Sequence, residues 1–293
     1  MKRLSRTSLL RLRSSTPFLV VFVPLFLLTA CERGEDITGS RPIEHLVSAE
    51  FSYQEAVTDP AVFRLVGING SIEIVGVPGL DTLKVWGTRE VGSYTPEDAA
   101  AHLDLLEIRF SRFISSLLVE TLQPSTTDGR SYKADYHCLV PSDWEIQVVN
   151  VNGGISVTGC EAGVTVEDTN GELVLEEVSG QVTAVLVNGV ILLTAVEGEG
   201  ELAVTNGSIS GQLVLTAGGT LRAITINGTI TLAVPDTVGA ELDATAVNGS
   251  ISVTGLPLTI TSSSLTSLRG TIGDGSGQIV LVTVNGTITL TGY

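Results

Sequence analysis

The dipeptide Asn-Gly recurs along this chain at near-constant spacing, and that spacing constrains the fold more than any other feature. It stands at Asn69, Asn152, Asn170, Asn188, Asn206, Asn227, Asn248 and Asn285. From Asn152 to Asn206 every step is 18 residues, and the next two steps are 21. The last gap, 37, divides into 21 and 16 if Arg269-Gly270 is counted as a degenerate copy. The third residue after each copy is Ile72, Ile155, Leu173, Ile191, Ile209, Ile230, Ile251, Ile272 or Ile288. Two residues further on the chain is apolar again, except at Gly211 and Asp274. Alternation with period two marks a half-buried strand. A second apolar run, as at 163–166, 181–185 and 277–282, fills the other half of each unit. One unit is therefore two short strands and two corners.

Two all-β architectures use such a unit. Asn-Gly between alternating runs is a strong hairpin signal, which builds an antiparallel meander or sandwich. A β-solenoid, parallel β-helix-like, instead makes each 18–21-residue unit one coil and stacks equivalent residues. The regular period and the fixed Ile phase favour the solenoid, because a length error would break the stack. Asn152, Asn170, Asn188, Asn206, Asn227, Asn248 and Asn285 then form a ladder at one corner, with amides bonded along the stack. The glycines supply a left-handed corner. At about 4.8 Å per stacked strand, eight coils span roughly 40 Å.

Composition narrows the class further. Acidic side chains outnumber basic ones by 32 to 16, a net charge of −16, which is the wrong sign for neutralising nucleic-acid phosphates. A hydrophobic content of 43% is enough to bury a core, which argues against disorder. Only one long apolar run exists, so a polytopic membrane protein is excluded as well.

That run lies in the leader. Lys2, Arg3, Arg6, Arg11 and Arg13 precede an apolar stretch over 18–28, and no acid occurs before Glu32. This is the plan of a secretory signal, and its core is too short to span a bilayer. It ends in Leu28-Thr29-Ala30-Cys31, which resembles a bacterial lipobox. In proteins with that motif the leader is cut before the cysteine, which carries the lipid. An ordinary signal peptide with an incidental Cys31, or an uncleaved anchor, are the other readings. Loss of residues 1–30 leaves 11 basic and 32 acidic side chains, a net charge of −21. The expected organisation is a lipoprotein signal over 1–30 and a flexible tether over 31–42. An irregular β region follows over 43–149, then regular repeats over 150–293.

Within 43–149, Thr95-Pro96-Glu97-Asp98 reads as a helix start running to about Leu103, with a Thr cap, Pro at the first position and acids in the first turn. Strands are expected over 105–110 and 117–122. Cys138 and Cys160 remain as an even pair in an oxidising compartment. Their 22-residue spacing is near one unit, which suits a disulfide between adjacent coils; two separate small buried side chains are the alternative.

The run 134–141 (ADYHCLVP) followed by 144–157 (WEIQVVNVNGGISV) resembles the core of the DUF4097 family, bacterial β-strand-repeat proteins described as adhesins. The segment 67–70 (GING) is similar to the related head GIN domains. The resemblance covers roughly residues 45–293. It implies an exported, often membrane-associated, right-handed β-solenoid-like domain and no catalytic residues.

The residues themselves offer little chemistry. His45, His102 and His137 have no metal-ligand spacing. Beyond Val151 the only basic residues are Arg222 and Arg269, which leaves a polysaccharide lyase or hydrolase without a base or clamp. Glu167, Asp168, Glu172, Glu176, Glu177, Glu197, Glu199 and Glu201 are oxygen donors suited to calcium, or simply a solvated face that discourages edge pairing. Sugar-stacking platforms find no support in the repeats, because Tyr293 is the only aromatic residue after Trp144. The sequence thus leads to a non-enzymatic, cofactor-free, lipid-anchored envelope protein that acts as an adhesin or interaction module. Its membrane contact is the N-terminal lipid, and its surface partner is a protein or a glycan. A structural or sensory protein that self-associates through open solenoid ends is the first alternative. A carbohydrate-active enzyme is the second.

Overall fold

The computed structural model describes residues 45–57 and 61–293. The signal (1–30), Cys31 and the tether (31–42) lie outside them. The described chain is almost entirely β. The first strands are β1 (His45–Ala56), β2 (Val62–Val66), β3 (Ile72–Val77) and β4 (Thr82–Ser93). The helix α1 (Pro96–Leu103) follows, then β5 (Glu107–Phe113), β6 (Ser116–Leu122) and β7 (Ser131–Pro141). The repeats comprise β8 (Glu145–Asn152), β9 (Ile155–Thr158), β10 (Val164–Glu176), β11 (Ser179–Leu215), β12 (Thr220–Asn227) and β13 (Ile230–Val234). Last come β14 (Ala240–Thr254), β15 (Leu258–Ser263), β16 (Ser267–Ile272) and β17 (Gly277–Gly292).

Asn-Gly does not make hairpins here. The repeat strands pair in parallel, one whole unit apart: Asn170 lies beside Asn152 and Asn188, and Leu173 beside Ile155 and Ile191. The strands on both sides of each corner stack in the same register, so each unit is one coil. β11 and β17 continue through the corner and serve both faces. For that reason the pairings β11–β12, β12–β17, β17–β13 and β13–β11 close a four-strand ring.

The coils do not stack in chain order. From one end they run 116–141, 62–77, 145–158, 164–176, 182–194, 200–212, 220–234, 277–292 and 240–254. The last coil in sequence is thus next to last in space. The first parallel coil in sequence is likewise second in the stack. This corrects the expectation of a strictly sequential repeat. It also removes Arg269-Gly270 from the ladder, because Ile272 belongs to β16, which is antiparallel to β14 and β15. The 37-residue gap from Asn248 to Asn285 is a single step of the stack.

Inward-facing Ile, Leu, Val and Ala fill the coils. Ile72, Ile155, Leu173, Ile191, Ile209, Ile230 and Ile288 are all buried, with 2% exposure or less. Each fully buried aliphatic side chain of this size contributes about 2 kcal/mol. Larger rings gather at the 116–141 end. There Phe51 meets Tyr136 edge-on at 5.3 Å, and Tyr53 stacks on Phe110 at 4.5 Å.

That end is covered by antiparallel strands. β5 pairs with β6, β4 with β7, and β1 with β4. The helix forms as its sequence indicates: Thr95 accepts a hydrogen bond from Asp98 N at 3.2 Å, and Pro96 opens the first turn. Asp98 is held by Arg130 at 2.7 and 2.8 Å and by Ser93 Oγ. Those bonds, the Arg130 contact first, keep the carboxyl well below the usual range.

Cys138 and Cys160 are free and buried. The expected bridge does not form because β3 runs between their strands: Ile74 pairs with Cys138 on one side and with Val157 on the other. Two inter-strand spacings, about 9.6 Å, separate Cys138 from Val157, and Cys160 packs against Gly76 of β3. Burial pushes both thiols up, Cys160 to about 11 and Cys138 further.

Candidate functional site

The antiparallel pairing of β4 with β7 sets Trp86 beside His137. The row continues to Ser52 on β1 and to Glu73 on β3. All four side chains therefore share one outward face of the covering sheet. The Trp86 and His137 rings stack with centroids 5.6 Å apart and planes 18° from parallel. His137 Nδ1 lies 2.7 Å from Glu73 Oε2, which fixes the imidazole beneath the stack. Trp86 remains 39% exposed. Glu50, Phe51, Ser52, Gly87, Thr88 and the two rings line an open depression of about 440 Å3.

The floor of this depression is rigid. A Cβ at Gly87 would stand 1.8 Å from Asp135 O, so only glycine lets β4 and β7 approach this closely. Tyr136 beneath it is buried, and its hydroxyl lies 2.5 Å from Thr121 Oγ1. Burial raises that phenol well above its usual range, which keeps it neutral. At the rim, hydrogen bonds from Lys133 Nζ at 2.6 Å and from Ser71 hold Asp135 low, against the upward push of its burial.

The arrangement joins an exposed indole to hydroxyls and carboxylates on a fixed sheet. It presents an apolar ring face together with hydrogen-bonding groups of both kinds. Such a surface suits a ligand with an apolar face and a hydroxyl edge.

The corner asparagines meet in one column. Asn152, Asn170, Asn188, Asn206, Asn227, Asn285 and Asn248 each donate from Nδ2 to the Oδ1 of the preceding member, at 2.7–2.9 Å, beginning at Asn69. The glycines beside them pack just as tightly. A Cβ on Gly207 would stand 1.7 Å from Gly189 O, and one on Gly228 would stand 1.5 Å from Gly207 O. Their φ values are positive, +145° at Gly207 and +125° at Gly70, a region that residues with a Cβ rarely adopt, as the expected corner requires. Backbone conformation and contact between coils both demand glycine here.

The acids of the early repeats do not converge. Among the described residues no three His, Cys, Asp or Glu side chains are placed to hold a metal ion. Register sets Glu167 beside Val185, Glu172 beside Val190 and Glu176 beside Thr194. Asp168 differs from the rest: it is 5% exposed, with neither carboxyl oxygen hydrogen-bonded. It stacks between Asn150, 2% exposed and equally unpartnered, and Leu186. Burial raises its pKa to about 6, and the nearby N–H groups of Thr169 and Asn170 limit the rise.

Trp86 carried no signal in the sequence, and His137 read as an isolated histidine. Fifty-one residues separate them, and a long-range antiparallel pairing joins them. The repeats after Trp144 hold no aromatic residue before Tyr293, whereas the Trp86–His137 stack lies on the strands that cover them.

No protein-family model matches the sequence, and no curated protein is similar to it. Solved structures give distant likenesses. One is a putative cell adhesion protein from Clostridium sporogenes, at TM-score 0.34 and 10% identity, over 84% of this chain and 100% of that chain. Another is a putative adhesin from Bacteroides fragilis, at TM-score 0.35 and 15% identity, over 84% of this chain and 97% of that one. A third is a putative adhesin from Parabacteroides distasonis, at 0.31 and 10%, with coverages of 84% and 97%.

Proposed function

We propose that this chain is an exported, non-enzymatic interaction module of the bacterial cell envelope, of adhesin type, anchored by lipid at Cys31. Its body is a β-solenoid whose coil order is permuted at both ends. Its ligand is a glycan, received on the covering sheet rather than on the repeats. The observation that carries this reading is the exposed Trp86–His137 stack, held by Glu73 and flanked by Glu50, Ser52 and Thr88. A pyranose ring has an apolar C–H face for the indole and a hydroxyl edge for the carboxylates and hydroxyls. The carboxylates around the site, and a net charge of −21 once residues 1–30 are removed, favour neutral sugars over acidic ones. The buried thiols, raised by desolvation, are poor nucleophiles, which accords with a binding role.

The test is retention of the full chain on immobilised neutral oligosaccharides, with product release from the same sugars followed in parallel. Retention without turnover, reduced at least tenfold by Trp86→Ala, is the expected outcome. Retention that Trp86→Ala leaves intact would remove the site, and turnover would remove the non-enzymatic reading.

A further inference from the structure

The two ends of the stack are finished differently. At the 116–141 end the covering strands carry charge along their edges: His45, Glu50 and Glu55 on β1, and Glu107, Arg109 and Arg112 on β5. Charged edges discourage strand addition. At the other end, β16 covers only the first half of β14, from Ala240 to Thr245. From Val247 to Thr254, β14 pairs with β17 alone among the described residues, and its other backbone edge is open. The outer strand β15 likewise pairs only with β16.

The open half of this end carries no charge; Glu241, Asp243 and Arg269 lie in the half that β16 covers. The 25 residues from Ala244 to Leu268 include no Asp, Glu, Lys, Arg or His. Val247, Ile260 and Leu265 are exposed there, at 52%, 57% and 94%. The asparagine ladder also stops there unfinished. Asn248 donates to Asn285 Oδ1 at 2.9 Å, but its own Oδ1 receives no donor, whereas each of the other seven accepts one.

We propose that this end is an interface for a second copy of the chain. Two copies meet about a two-fold axis, with the Val247–Thr254 edges paired antiparallel. An isologous contact of this kind satisfies both open edges at once. Charge selects the partner: two chains of net −16 repel over most of their surfaces and meet with least cost at the uncharged 244–268 segment. Because the opposite end is guarded, the assembly closes at two copies and does not grow into a fibre. The chain end at Tyr293 takes no part, since its coil is internal to the stack.

Sedimentation velocity of the full chain over a wide concentration range tests this, together with hydrogen exchange of the 247–254 amides. We expect a monomer–dimer equilibrium and concentration-dependent protection of those amides. Ser250→Lys with Ser252→Lys, on exposed edge positions, should raise the dimer Kd at least tenfold with the circular dichroism spectrum preserved. Ser48→Lys, on the β1 edge, should leave Kd unchanged. A monomer at every concentration would overturn the proposal, as would a dimer indifferent to the edge lysines or growth beyond two copies. If the double variant fails to fold, wild-type exchange decides: no concentration-dependent protection at 247–254 would overturn it.

Discussion

At the scale of the residue, the corner works through contact. Each interior asparagine donates one ladder hydrogen bond and accepts another, while Asn248 only donates. An exposed hydrogen bond contributes about 0.5–1.5 kcal/mol. Asn188→Ala should therefore cost about 1–2 kcal/mol in urea unfolding, and Asn248→Ala about half as much. Equal costs would show that the ladder adds nothing cooperative to the corner. Gly207→Ala should be far worse than either, because its Cβ has no room beside Gly189 O. Loss of the cooperative transition is the expected result. Asp168 offers a test by pH. Its folded pKa, about 6, lies above its unfolded value near 3.8, so the folded state holds the proton more tightly. That contribution is full below about pH 4 and is lost as pH rises through about 6. Ionised at pH 7, Asp168 costs about 3 kcal/mol. Asp168→Asn should therefore raise the melting temperature at pH 7, with the gain fading towards pH 4. A constant difference across that range would contradict the burial assigned to the carboxyl.

At the scale of the element, the chain encloses its own last coil. β17 lies between the 220–234 coil and β14 and pairs in parallel with both. Removing residues 277–293 should therefore destroy the fold of the 220–254 region instead of trimming one terminal repeat. Limited proteolysis reads this directly: rapid cleavage within 220–254 is expected, and an intact shortened stack would contradict the pairing. The same feature explains what could be read in advance. Strand phase, unit length and the Thr95-capped helix were all legible, because alternation and capping are local. Coil order was not, because every unit offers the same Ile phase and the same Asn-Gly corner, so any unit can stack on any other. Repetition makes the unit clear and the neighbour ambiguous. The spacing of Cys138 and Cys160 misled for this reason: 22 residues match one unit, but the 62–77 coil comes between them.

At the scale of the whole molecule, regular and irregular parts divide the work. The repeats supply a stiff acidic body with few features. The less periodic strands before Asn152 supply a face that unites an exposed indole, a histidine and carboxylates. No helix among the described residues is long and apolar enough to cross a membrane. The proposed anchor is Cys31, so Cys31→Ala should move the protein from the membrane fraction to the soluble exported fraction; unchanged fractionation would count against lipid attachment. The most direct test of the central claim is isothermal titration of the full chain and of Trp86→Ala with neutral oligosaccharides retained on the immobilised panel. The account predicts saturable binding by the wild type and at least tenfold weaker binding by the variant, with unfolding midpoints unchanged. Equal affinity for the two proteins would contradict it.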